Sequence, residues 1–328
     1  MNIAFAGLRH SHIFVLYDMA LAHPQYTVIG AFEQEPHARD AAKAHGIVCN
    51  YESYEALLAD DAVDVVALGG CYGDRGEMAI RALQMGKHVI ADKPLCTSLD
   101  ELDRIEALAK QRHLTVSCMF TMRFEKKICA VKKLVESGAL GKINTVYFGG
   151  QHPLQYGRRP QWYFEKGKHG GVINDIAIHG IDLLHYAFGL SGFEILSARC
   201  WNAFATAKPQ FKDSAQMMLK AESGAGILAD VSYAIPDGVE FSLPQYWQFT
   251  LFGTKGTVCF SLNEAVSHYY VAGETAPRVL EEPPVERDYL TDFYALVQGE
   301  TDTVLPMAAV FSATRKTLEI QRCADTTQ

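Results

Sequence analysis

A chain of 328 residues, 48% hydrophobic and 21% charged, has room for two domains of the usual ~100–200 residues, which excludes a single small module and a mainly disordered chain. Its 38 acidic and 30 basic side chains give a formal charge of −8, so the basic footprint of a nucleic-acid clamp is absent and nucleic acid is not an expected partner. No apolar run approaches the roughly 20 residues of a membrane span, the first residues lack a basic signal region, and the cysteines are scattered without a C-x-x-C pair. The expectation is a cytoplasmic protein with reduced thiols and no membrane association.

Up to residue 120, short β-rich runs alternate with helical periodicity. Residues 3–6, 28–32, 63–68, 88–91 and 114–118 read as strands, apolar on both faces as in a buried parallel sheet. Between them 13–21, 36–44, 54–59, 77–85 and 99–109 read as helices, the last opened by the capping-box pattern Ser98-Leu99-Asp100-Glu101. Repeated βα units predict a doubly wound α/β domain of the nucleotide-binding type. A helix over 125–136, closed by Ser137-Gly138, then leads into longer strands at 143–148, 193–201, 215–220, 226–233, 247–252 and 257–261. Gly253-Thr254-Lys255-Gly256 reads as a tight connection, one long helix over 174–188 interrupts the strands, and helices near 289–297 and 307–321 follow. This half predicts an α+β domain with a large, open, mostly antiparallel sheet, and no internal repeat is present.

The turn after the first strand reads Gly7-Leu8-Arg9-His10-Ser11-His12, where a dinucleotide fold places G-x-G-x-x-G. Gly7 permits the sharp strand-to-helix turn. Arg9 puts a side chain where bare backbone approaches a pyrophosphate, and His12 stands at the helix–strand packing position. Glu33 ends the second strand roughly 20 positions further on, where a carboxylate accepts the adenosine ribose hydroxyls. An acid there repels a 2′-phosphate, so NAD is expected, with NADP as the alternative.

The segment His88-Val89-Ile90-Ala91-Asp92-Lys93-Pro94, preceded by Gly86-Lys87, resembles the GKHV…EKP segment of the Gfo/Idh/MocA oxidoreductases. Met122-Arg123-Phe124, Ser137-Gly138-Ala139-Leu140-Gly141-Lys142-Ile143 and Gly170-Gly171-Val172-Ile173-Asn174-Asp175-Ile176-Ala177-Ile178-His179-Gly180-Ile181-Asp182 are similar to three more of that family's segments, in the same order. The chain departs from the family at the degraded glycine turn and at Arg75, which stands where the family usually has histidine, after a Gly70-Cys71-Tyr72-Gly73 stretch without the usual proline. The resemblance implies an NAD(P)-binding Rossmann domain over 1–120 and a substrate-binding and oligomerisation domain over 121–328. It also implies hydride transfer between nicotinamide and a hydroxyl or carbonyl carbon of a sugar, polyol or sugar acid. Gly7, Leu8, Arg9, His10 and Glu33 are the implied cofactor contacts on the first turn and second strand, with Gly70, Tyr72, Lys93 and Pro94 from the later strand ends.

Asp175 and His179 lie four apart near the start of a predicted helix and so share one face. Alcohol oxidation needs a base for the hydroxyl proton, and an imidazole's near-neutral pKa suits that shuttle. His179 is the expected acid/base, Asp175 its partner or a substrate contact, and by the family resemblance Lys93 completes the set with a cation for the reacting oxygen. As in relatives, a cis bond before Pro94 is expected to aim Lys93. Asp182 extends the same face with a structural hydrogen bond as its expected role.

Residues 151–164 combine aromatic and guanidinium groups, a mixture suited to a hydroxylated ring. His152, Tyr156, Arg158, Arg159 and Trp162, with Arg123 and Asp175, are the candidate substrate contacts. The adjacent arginines keep a carboxylate or phosphate on the substrate open. No metal is expected, because His169, Asp175 and His179 match no metal spacing. A sheet with one helix-covered face leaves another to bury, so a homodimer or homotetramer is expected, as in relatives. Two other readings compete: a ligand-sensing relative without turnover, and a lyase or glycosidase that uses NAD with no net redox.

Overall fold

The computed structural model describes residues 1–239 and 241–326, and the chain forms two compact units. The first takes residues 1–120 together with 165–170 and 287–315; the second takes 121–164, 171–286 and 316–328.

In the first unit β1 (Asn2–Leu8), β2 (Thr27–Phe32), β3 (Val65–Gly69), β4 (His88–Ala91) and β5 (Val116–Cys118) form a parallel sheet in the order β2-β1-β3-β4-β5. The order reverses between β1 and β3, where doubly wound sheets open a crevice beyond the strands' carboxyl ends. The helices are α1 (His12–Ala22), α2 (Pro36–Ala44), α3 (Tyr54–Ala59), α4 (Tyr72–Gln84) and α5 (Leu99–Arg112). The expected capping box opens α5: Ser98 accepts from the Glu101 N–H and the Glu101 carboxylate accepts from the Ser98 N–H.

α4 begins five residues before the sequence expectation. Gly73 and Gly76 are contact points: a Cβ on Gly73 would lie 1.9 Å from the Gly167 oxygen, and one on Gly76 would meet the Glu101 carboxylate. Close packing overrides helix propensity here. α8 (Tyr289–Val297) joins this unit through Tyr289 Oη, which donates to Ser117 Oγ at 2.9 Å, and through the Leu290 carbonyl, which accepts from Tyr26 Oη at 2.9 Å.

The second unit follows with α6 (Lys126–Glu136), β6 (Ile143–Pro153), α7 (Ile178–Tyr186), β7 (Glu194–Trp201), β8 (Ser214–Lys220), β9 (Gly226–Ile235), β10 (Gln248–Gly253), β11 (Gly256–Ser261), β12 (His268–Val271) and β13 (Arg278–Val279). The last helix is α9 (Met307–Thr326). The sheet order is β13-β12-β11-β10-β6-β9-β8-β7, antiparallel except for the parallel β6–β9 pair. β12 and β13 escaped the sequence reading because they are short, of four and two residues, with exposed positions along them.

β6 runs five residues past its expected end. Gly150 leaves space against the Trp247 ring and Ile176, where a Cβ would come within 2.7–2.9 Å. Gln151 and His152, expected in a loop, are strand residues.

Arg123 and Asp182 are 3% and 2% exposed and form a bidentate pair, Nε to Oδ2 at 2.8 Å and Nη2 to Oδ1 at 2.6 Å. The Arg123 guanidinium also lies 4.5 Å from the Tyr186 ring centroid. Asp182 thus has the structural bond expected of it, and Arg123, expected as a substrate contact, is engaged by it inside the second unit. Arg123→Ala should destabilise this unit by roughly 3–5 kcal/mol, since it leaves a buried carboxylate uncompensated. A shift of the urea unfolding midpoint measures that cost, and an unchanged midpoint would remove the pair from the unit's core.

Candidate active site

Gly7 turns out of the straight strand with a φ of 74°. A Cβ on it would lie 2.6 Å from the Gly70 nitrogen, so the turn closes directly on the end of β3. Close packing of α1 on that strand falls to Ile13, which a Cβ on Gly69 would meet at 2.6 Å. His12, expected at that packing position, is instead 44% exposed and faces Asp92 at 3.4 Å. Ser11 at the N-cap of α1 makes no side-chain cap bond, and the first turn carries no acid. With no carboxylate or side-chain cap of its own there, the positive helix end is compatible with a dinucleotide's pyrophosphate, and the residues fit that cofactor.

Glu33, expected to face the ribose, is 2% exposed and engaged with the turn. Its Oε2 accepts from the Leu8 N–H at 2.6 Å, and its Oε1 accepts from Arg9 Nε and from the Glu35 N–H, both at 2.8 Å. Arg9 therefore points to Glu33. The more exposed acid is Glu35, which caps α2 by accepting from the His37 and Ala38 N–H groups. Partial burial acts to raise its carboxyl, and those two bonds outweigh it and hold the group below its usual range.

Beyond the ends of β1, β3 and β4, one carboxylate gathers the polar groups. Asp92 is fully buried; its Oδ2 accepts from His10 Nδ1 at 2.6 Å and from Arg75 Nη2 at 2.8 Å. Burial acts to raise the Asp92 carboxyl, but the Arg75 guanidinium, with His10 and His12, overcomes it and holds the group well below the usual carboxylate range. Burial also lowers His10 to about 4 against the opposing pull of Asp92. The His10 ring lies 5.4 Å from that of Tyr72, and Lys93 Nζ lies 6.0 Å from the Tyr72 centroid. The Lys93-Pro94 bond is cis, as expected. His10, His12 and Asp92 bring three ligating atoms within 4.8 Å of one another, a donor set some divalent metals accept, but here a guanidinium supplies the cation.

In the second unit, Asp175 lies in a π-helical turn, Ile173–Ala177, that opens into α7, and His179 follows in the first turn of α7. Such widened turns recur at functional positions. Gln321 of α9 anchors this one, its Oε1 accepting from the Ile173 N–H at 3.0 Å and the Asn174 N–H at 3.3 Å. Gly171, at φ 98°, is required there because a Cβ would overlap the Gln321 amide.

Asp175 is 3% exposed and accepts a hydrogen bond from Tyr233 Oη of β9. Burial, and then the Asp175 charge, push that phenol well above its usual range. Arg159 lies 4.6 Å from the Tyr163 centroid and 5.7 Å from that of Tyr233, with Nε and Nη2 donating to the Leu154 and Pro153 carbonyls at 2.9 Å. His179 stands 5.8 Å from the Trp247 ring, and His152 lies 4.8 Å from Tyr246 and 5.6 Å from Trp247.

Of the expected site residues, the first unit brings together Gly7, Leu8, Arg9 and Glu33 around the turn, and His10, Gly70, Tyr72, Lys93 and Pro94 around Asp92 and Arg75. The second joins Asp175, Arg159 and Trp162 through Tyr233 and Tyr163, and His152 and His179 through Trp247. Tyr156 and Arg158 stand exposed at the tip of the connection after β6. Sequence reasoning missed Tyr233, Gln321 and the part Arg75 plays. Each reaches its partner only through tertiary contact, although an arginine among apolar helix positions was a visible signal.

A family model described as "Oxidoreductase family, NAD-binding Rossmann fold" matches residues 1–120, and one described as "GFO/IDH/MocA C-terminal domain" matches 128–259. The chain belongs to the Gfo/Idh/MocA oxidoreductase family, and its first unit is an NAD-binding Rossmann domain. Among its relatives, inositol 2-dehydrogenase 2 of Saccharopolyspora erythraea is 23% identical over 309 residues, 92% of this chain and 83% of its own. Levoglucosan dehydrogenase of Pseudarthrobacter phenanthrenivorans is 29% identical over 194 residues, 56% of this chain and 49% of its own, so here the match spans about half of the relative. A crystal structure of an oxidoreductase from Erwinia carotovora atroseptica superposes with a TM-score of 0.88 at 24% identity, covering 99% of this chain and 98% of that one. Levoglucosan dehydrogenase in complex with NADH superposes at 0.81 with 19% identity, covering 99% and 97%, a likeness of fold.

His10 has a folded pKa of about 4 against an ordinary 6.5, so the unfolded chain binds more protons between those values. Its contribution to stability is present above pH 6.5 and is lost as pH falls toward 4, by roughly 2–3 kcal/mol. Asp92 acts in the same direction at lower pH. Urea unfolding of the wild type and of His10→Gln at pH 7 and pH 4.5 should show a smaller pH-dependent loss in the variant. Equal losses would mean that His10 is not held neutral.

Proposed function

We propose that the protein is an NAD-dependent dehydrogenase of a sugar, polyol or sugar acid, carrying hydride between the nicotinamide and a hydroxyl or carbonyl carbon. The observation that carries this reading is the buried Asp175–Tyr233 pair one helical turn from His179, walled by Trp247 and extended by His152 and Tyr246. A charged acceptor, an imidazole and aromatic faces are what a hydroxylated ring needs for orientation and proton transfer. The dehydrogenases of inositol and levoglucosan among the relatives support the same substrate class.

In this reading bound NAD supplies the hydride acceptor at the carboxyl edge of the first unit's sheet, with the α1 amino end and the Gly7–Arg9 turn taking its pyrophosphate. Lys93 holds the reacting oxygen and stabilises negative charge as the proton leaves. His179 takes that proton. Asp175, fixed by Tyr233, orients the substrate hydroxyls or the His179 ring. Arg159 lines the same pocket through Tyr163 and Tyr233, and Trp247 and His152 present ring faces to the substrate. A second copy of the chain is the proposed partner of the other sheet face, where Tyr147, Met218 and Phe252 are 43–45% exposed; sedimentation velocity reads the dimer or tetramer directly.

A panel of myo-inositol, levoglucosan, D-xylose and sugar acids with NAD should produce NADH with at least one member. No net NADH from any of them, with NADH bound, would favour the sensing or non-redox readings. With the active substrate, His179→Asn and Lys93→Met should each lower kcat by ~10²–10⁴-fold and leave the Kd for NADH nearly unchanged. Near-normal turnover in either variant contradicts the proton route.

NAD is the proposed cofactor in preference to NADP. Arg9 balances Glu33, and Glu35 remains as an acid at the α2 amino end, where it disfavours a 2′-phosphate. Fluorescence titration should show NADH binding more tightly than NADPH; equal or tighter NADPH binding would remove the assignment. Arg9→Ala should weaken NADH binding by roughly 1–3 kcal/mol, through loss of the turn's charged hydrogen bond to Glu33. Unchanged binding would show that Arg9 does not order the turn.

A further inference from the structure

The first unit departs from the family's segments at three places: His10 and His12 in the dinucleotide turn, Asp92 where the EKP segment reads glutamate, and Arg75 where the family usually has histidine. All three meet at one carboxylate. Asp92 Oδ2 accepts from both His10 and Arg75, and His12 Nδ1 lies 3.4 Å from Oδ1.

Arg75 does more than balance that charge. Its guanidinium, 0% exposed, donates through Nε to the Gly70 carbonyl at 2.8 Å and through Nη1 to the Asp92 and Lys93 carbonyls at 2.8 and 2.6 Å. It grips both peptides that flank Lys93, and it ties that backbone to Gly70 just past the end of β3. A lysine keeps the charge but lacks the planar fork that reaches several acceptors at once. A neutral imidazole offers one donor. A long cation opposite a short acid spans the gap that a shorter cation and a longer acid would also span.

We infer that Arg75 and Asp92 are a reciprocal pair that positions Lys93, with Arg75 a positioning residue for the reaction, so that the departures from the family pattern are one coupled exchange. The inference rests on the reading in which Lys93 holds the reacting oxygen. Arg75 and Asp92 answer each other directly, His10 donates to the same Oδ2, and Asp92 Oδ1 faces His12 at 3.4 Å without a hydrogen bond.

The test compares wild type, Arg75→Lys, Arg75→His and the double variant Arg75→His with Asp92→Glu, each checked for folding by thermal unfolding. With the substrate found in the panel, Arg75→Lys should lose 10–100-fold in kcat with KM and the Kd for NADH within about threefold of wild type. Adding Asp92→Glu to Arg75→His should recover at least tenfold in kcat, a rescue that a merely structural arginine would not show. A folded Arg75→Lys with normal kcat, or a folded double variant no better than Arg75→His, overturns the pairing. If Arg75→His does not fold, a folded double variant supports the exchange, and an unfolded one leaves Arg75→Lys to decide.

A second arm needs no substrate. The rate at which N-hydroxysuccinimidyl acetate acylates Lys93, read by peptide mass spectrometry against exposed Lys110, should change at least fivefold in Arg75→Lys, and an unchanged ratio overturns the inference. If no polyol turns over, the proposed reaction fails on the panel while this arm still decides the positioning of Lys93.

Discussion

A carboxylate with no exposed surface survives in the ionised state only if its surroundings replace water, and Asp92 meets that demand by drawing three elements to itself. Arg75 from α4 and His10 from the turn before α1 supply the donors, while the Asp92 backbone stays in β4's continuation through its N–H bond to the Leu68 carbonyl. The charge balance is local: one guanidinium against one carboxylate, with His10 kept neutral by burial. Because the partners come from different βα units, the pair fixes the carboxyl edge of the sheet where a doubly wound fold binds its ligand. The orientation of Lys93 and the path of the dinucleotide turn follow from it.

The turn itself is rebuilt around side chains. Where repeated glycines would let bare backbone meet a phosphate, Gly7 alone remains and serves the sharp turn, and Glu33 stabilises the rest by accepting from the Leu8 N–H and Arg9. The carboxylate that would conventionally read the ribose has become part of the frame. Glu35, capping α2, is left as the acid with more access to solvent.

In the second unit the corresponding constraint is space. Gly150 admits the Trp247 ring, Gly171 admits the Gln321 amide, and Gly180 admits Phe148. These contacts hold the widened turn that carries Asp175 and the helix start that carries His179. Tyr233 then fixes the Asp175 carboxylate from β9, and Arg159 packs on the same ring.

Period and punctuation alone determined much of this protein. Apolar runs alternating with helical stretches established the doubly wound unit, strand-length runs with tight turns established the mostly antiparallel sheet, and Ser98 with Glu101 marked the start of α5 through a purely local bond. Lys93, Asp175 and His179 stand in segments that resemble those of the family, which is what made them candidates. Tertiary structure decided the rest. The start of α4 and the end of β6 depended on glycines whose reason is a neighbour distant in sequence, and the return of residues 287–315 to the first unit depended on Tyr289 and Tyr26. The roles of Glu33, Arg75, Arg123, Tyr233 and Gln321 depended on partners far along the chain. Local preferences act over a few residues and leave their mark in sequence, whereas a buried charge is defined by what the folded chain brings to it.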